Sequence, residues 1–114
     1  MAKDDYQVIA YKVLAYFYAC LKEGVEGSPA KALELAGCNS TYFIAVLRDL
    51  IESGYMAGDA GMDYAQEIMC DDLRITLKGV DFLDSNSAMA KVRKALGKAF
   101  ETVLSGAVAA TSLL

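Results

Sequence analysis

Few residues in this chain have the type and spacing to do chemistry. Histidine is absent, which excludes His-based triads, His-ligated metals and His pH switches. Cys20, Cys38 and Cys70 are odd in number, far apart and form no C-x-x-C. They are expected to be free thiols in a reducing cytoplasm, not zinc ligands or a disulfide framework. Ser28-Pro29-Ala30-Lys31 has the S-x-x-K spacing of serine–lysine hydrolases. No second motif accompanies it, so a helix cap followed by a solvent-facing lysine is favoured. Asp63, Glu67, Asp71 and Asp72 could gather oxygen ligands around a divalent ion, but they lack EF-hand spacing and read as a solvated acidic wing. No glycine-rich phosphate loop is present. The expectation is a protein that is not an enzyme, with neither metal nor cofactor.

Binding chemistry is the remaining class. The net charge is −4 over 114 residues, which opposes non-specific phosphate binding. Residues 1–48 are neutral, residues 49–84 carry −7 and residues 85–114 carry +3. The basic end comes from Lys91, Arg93, Lys94 and Lys98, which could meet phosphates, an anionic membrane or an acidic partner. The aromatic set near the N-terminus, Tyr6, Tyr11, Tyr16, Phe17 and Tyr18, could stack bases. It has only Lys12 beside it, so packing is the simpler use.

These residues must be positioned by helices and a hairpin. Residues 6–21 are apolar at 14 of 16 positions. The run is too short and too interrupted for a span or an export signal, so a cytoplasmic core helix over about 5–22 is predicted. It is apolar nearly all round, so a second side must be covered by the C-terminal segment or another copy. Ser28, Pro29 and Gly37 punctuate a helix over about 29–36. Asn39 or Ser40 caps a third over about 40–53, with Phe43, Ile44, Leu47, Leu50 and Ile51 inward and Thr41, Tyr42, Ala45, Arg48, Asp49 and Glu52 outward. The short connection between these helices has the length of a helix-turn-helix turn. A hairpin follows, with arms near 55–58 and 72–76 and turn glycines Gly58 and Gly61; residues 62–71 either lengthen it or form its loop. A third short strand at 25–27 would pair with the wing. Thr76 caps a helix over about 77–84. The last helix starts at Ser87 and puts Met89, Val92, Leu96, Ala99, Phe100 and Val103 on one face, opposite Lys91, Lys94 and Lys98, with Gly97 and Gly106 weakening it.

Three helices, a hairpin and a further helix spell a mainly α winged helix-turn-helix over residues 1–85. Residues 86–114 add a C-terminal amphipathic helix. The segments MAKDDYQVIAYKVLAYFYACL at 1–21, IESGYMAG at 51–58 and LRITLKGVDFLDSNSAMAKVRKALG at 73–97 resemble the YjcQ family. Its members are small bacterial winged-helix proteins often carried in prophage regions. The resemblance implies the fold and assigns no activity.

Two functions fit such a fold. The first is duplex DNA binding in the manner of a transcriptional regulator. Ser40, Thr41, Tyr42 and Arg48 would read the groove, and Lys91, Lys94 and Lys98 would hold phosphates. The second is a winged-helix interaction module that does not bind DNA. A homodimer is expected with either, through Tyr6, Tyr16, Phe17, Phe100, Val103, Leu104, Leu113 and Leu114.

Overall fold

The structure is a computed structural model that describes residues 2–113. The elements run α1 (Tyr6–Glu23), α2 (Pro29–Ala36), α3 (Ser40–Glu52), β1 (Met56–Met62), β2 (Ile68–Ile75), α4 (Leu77–Ser85) and α5 (Ser87–Thr111). This mainly α order with one antiparallel hairpin is the layout of a winged helix.

Side-chain caps fix most of the boundaries. Ser28 Oγ accepts from the Lys31 N–H at 3.3 Å, and Asn39 Oδ1 accepts from the Tyr42 N–H at 2.8 Å. Thr76 Oγ1 accepts from the Gly79 N–H at 3.0 Å and donates to the Gly54 carbonyl at 2.6 Å. One hydroxyl thus starts α4 and ties it to the turn that precedes the hairpin. Asn86 caps α5 through the N–H groups of Ala88 and Met89.

The hairpin is longer than its alternating residues suggest. Pairing runs from Met56 opposite Ile75 to Met62 opposite Ile68, so residues 62–71 lengthen both arms. The turn is Asp63–Glu67, closed by Asp63 Oδ1 accepting from Ala65 and Glu67 N–H groups at 2.8 and 3.0 Å. Gly58 and Gly61 are therefore strand residues. Gly58, at φ 112°, sits at a register shift between Ala57, paired with Arg74, and Asp59, paired with Asp71, and a Cβ there would collide with the Asp71 and Asp72 carbonyls.

The sheet has two strands among the described residues, so the expected strand at 25–27 does not form. Its neighbouring backbone donors are taken by α1 instead. The Val25 N–H goes to the Cys20 carbonyl and the Ser28 N–H to the Tyr16 hydroxyl. The bare face of Gly27 lies on the Phe17 ring.

α1 is the centre of the molecule. Val8 to Tyr11, Val13 to Phe17 and Cys20 are buried, because α2, α3, α4 and α5 all pack around it. The second side of α1 is thus closed by this chain's own C-terminal helix. Phe43, Leu47, Met56, Ile75, Leu83, Met89, Val92, Phe100 and Val108 complete a single core. α5 is broken at Gly97, where φ 64° and ψ −161° are non-helical. After the break the buried residues are Phe100, Val108 and Thr111, and Val103 is 57% exposed instead of continuing the face of Met89 and Val92. No helix among the described residues is long and apolar enough to cross a membrane.

Candidate nucleic-acid interface

α3 follows α2 after residues 37–39 and is held by Phe43, Ile44, Val46, Leu47 and Leu50 in the core. The outward face is as the 3.6-residue period predicts. Thr41, Ala45, Arg48, Asp49 and Glu52 are exposed, and Ser40 and Tyr42 are half-buried. Three of these polar groups already have partners within the chain. Arg48 Nε donates to the Ala60 carbonyl on β1 at 3.2 Å, which draws the cation onto the wing. The Tyr42 hydroxyl donates to the Asp4 carbonyl at 2.6 Å. The Tyr6 hydroxyl donates to the Asp49 carboxylate, and the Tyr6 ring lies 6.1 Å from that of Tyr42. Residues 4–6 therefore lie against the outward face of α3. Burial, with the Asp49 carboxylate beside it, pushes the Tyr6 phenol well above its ordinary range.

The wing beside α3 is acidic. Asp59, Glu67, Asp71 and Asp72 are exposed on it. Its one arginine, Arg74, is paired with Asp72 at 2.7 Å, and Lys78 at its root sits over the Tyr55 ring. Lys91, Lys94 and Lys98 are exposed on α5. α5 packs chiefly on α1 and α4, whereas α3 packs chiefly on β1. The lysines and Arg48 are thus carried by elements whose common neighbours are α1 and α2.

Of the residues expected at a dimer interface, Tyr16, Phe17 and Phe100 are buried in this chain's own core, and Leu104 is half-buried. Tyr6, Val103 and Leu113 are exposed, at 42%, 57% and 87%. Leu114 lies outside the described residues. The buried three were expected at an interface because α1 needed a second cover, and α5 supplies it within the chain.

The other chemical candidates take structural positions. Ser28 caps α2 through its hydroxyl, and Lys31 reaches Glu34 at 3.5 Å. Asp63 closes the hairpin turn. Among the described residues no group of three or more Cys, Asp or Glu could hold a metal ion. The cysteines are free, and burial pushes all three thiols up, away from the reactive thiolate. A groove of about 420 Å³ between α1 and α5 is lined by Ala19, Lys22, Val25, Leu104 and Val108 among others, without a convergent set of catalytic groups.

Sequence reasoning missed two arrangements. One is the Tyr16 hydroxyl, which accepts from the Ser28 N–H at 2.9 Å and meets Thr111 Oγ1 at 2.6 Å. No local signal links positions this far apart. The other is the docking of residues 4–6 on α3.

No curated protein and no solved structure gives a significant match. The family model described as YjcQ protein matches residues 11–101. With most of its length covered, including every helix of the winged layout in whole or in part, the chain belongs to the YjcQ family.

Proposed function

We propose that this protein is a winged-helix interaction module whose α3–wing face docks a basic protein surface and not duplex DNA. The observation that carries this reading is the charge of that face. Asp49, Glu52, Asp59 and Asp71 are exposed on α3 and the wing, while Arg48 is engaged by the Ala60 carbonyl and Arg74 by Asp72. A phosphate backbone approaching α3 would meet these four carboxylates, which no cation pairs among the described residues, whereas lysines and arginines of a partner would be attracted. Two measurements test it. A randomised-duplex selection at low salt is expected to enrich nothing. A fluorescent Lys/Arg-rich peptide is expected to bind in a salt-dependent way and to lose at least tenfold in affinity with Asp59→Lys and Asp71→Lys together, which are cross-strand partners on the wing. A selected duplex motif, or a peptide affinity indifferent to that charge reversal, would overturn the reading.

A second reading, DNA binding as a regulator, is favoured by one feature. Thr41 and Arg48 are exposed on the helix that this fold presents to a groove. Arg48 would then leave Ala60 for a guanine edge, worth about 1–3 kcal/mol. Lys91, Lys94 and Lys98 would supply phosphate contacts. Arg48→Ala would relax sequence preference. Lys94→Ala would weaken all sequences alike and lower the salt slope by about one.

A further inference from the structure

We infer that two copies of this chain associate by exchanging the second half of α5, residues 98–111, about a hinge at Gly97. The inference is independent of what the α3–wing face binds.

The break in α5 is confined to one residue. Gly97 has φ 64° and ψ −161°, while the residues on both sides remain helical. A Cβ at Gly97 would meet nothing within 4 Å outside its own helix, so a side chain at this position meets no clash with another element. The bend is held by what lies beyond it. Phe100 sits 5.9 Å from the Tyr11 ring, and Thr111 bonds to Tyr16. The same contacts form if the segment comes from a second copy, because the α1 surface that receives it is unchanged.

The sequence favours the straightened form. At about 100° per residue, the inward residues before the break, Met89, Val92 and Leu96, centre about 70° from those after it, Phe100, Leu104, Ala107, Val108 and Thr111. The break turns the second set onto α1 and leaves Val103 exposed at 57%. In a straight α5, Val103 continues the line of Val92 and Leu96. Exchange straightens the hinge, and the two straight helices can then cross around Leu96, Ala99 and Val103, covering the valine that one chain leaves open. A single-residue hinge in a glycine-dependent conformation, between two helical segments, is the kind of connection that permits such exchange.

Gly97→Ala tests the hinge, because alanine disfavours the positive φ and favours a continuous helix. Refolded from denaturant at high concentration, the wild-type chain is expected to give a dimer by light scattering. Gly97→Ala is expected to raise the dimer-to-monomer ratio tenfold or more. Exchange is identified by refolding a mixture of isotope-labelled and unlabelled chains and applying a zero-length carbodiimide. Lys22 and Glu101 line one groove between α1 and α5, so their cross-link reports which chain fills it. Mixed-label Lys22–Glu101 peptides in the dimer support exchange. A dimer that yields only same-label peptides overturns it in favour of side-by-side association, and a monomer under both conditions overturns association altogether. If Gly97→Ala does not fold, the concentrated wild-type sample decides by the same outcomes.

Discussion

α1 and the hairpin solve opposite problems with similar amounts of chain. α1 buries ten of its 18 residues on all sides and gives the hydroxyls of Tyr6, Tyr11 and Tyr16 partners from other elements. Tyr16, with no exposure at all, holds the α2 cap and the end of α5 through one hydroxyl. The hairpin buries Met56, Leu73 and Ile75 at its root and leaves the rest of both strands half-buried or exposed, with Met69 at 61%. Stability therefore concentrates where α1 is enclosed. The α3–wing edge, with Asp49, Glu52, Asp59 and Asp71 exposed, is free to vary in charge without unfolding the chain.

The largest expected effect breaks the enclosed region. Leu14→Ala removes a fully buried side chain and should cost about 2–5 kcal/mol by denaturant titration. Met69→Ala on the wing should stay within about 0.5 kcal/mol. Equal losses at the two positions would refute the contrast.

The junction between the regions comes next. A Cβ at Gly79 would collide with the Tyr55 carbonyl oxygen and Ile75. Gly79→Ala should cost about 1–3 kcal/mol and shift the backbone amide resonances of residues 55–57 and 74–76, where the hairpin meets α4. Unchanged resonances would mean that the junction is looser than its packing implies.

Tyr16→Phe and Tyr6→Phe compare a buried hydroxyl with an exposed one. Tyr16→Phe leaves the Ser28 N–H and one side of Thr111 without that partner and should cost about 1–3 kcal/mol. Tyr6→Phe, at 42% exposure, should cost less than about 1 kcal/mol. The same pair sets the alkaline behaviour. Burial raises the phenol of Tyr16 above its ordinary value of 10.0, against the hydrogen bonds from Thr111 and Ser28. A raised folded value favours the neutral phenol. Its contribution to stability is complete below pH 10 and is lost as pH rises toward the folded value. Stability should therefore fall above about pH 10, and the fall should be shallower in Tyr16→Phe.

The smallest effect sharpens the picture of the wing. Arg48→Ala frees the Ala60 carbonyl but leaves exposed groups that water can satisfy. Stability should change by less than about 1 kcal/mol, while hydrogen exchange should quicken in residues 59–62 and not in α1.

Local rules in the sequence determined much of this protein. Ser28, Pro29 and Gly37 bound α2, Thr76 starts α4, and the period of α3 divides its faces correctly. Each depends on neighbours within a turn or two. The hairpin was legible at Leu73 and Ile75, where alternation meets the core, and illegible at Gly58 and Gly61. At Gly58 a bulge, where a Cβ would strike the carbonyls of Asp71 and Asp72, uses a glycine that would otherwise mark a turn, and Gly61 pairs with Met69 as an ordinary strand residue. The candidate interface divided the same way. Exposure of Thr41 and Arg48 followed from helical spacing, but the engagement of Arg48 by Ala60 and of Tyr42 by Asp4 did not. Tertiary structure alone decided which surface closes α1, where the hydroxyl of Tyr16 goes and how α5 turns at Gly97. Those outcomes join residues up to 95 positions apart, and the spacing within a helix or strand carries no record of which distant element will cover it.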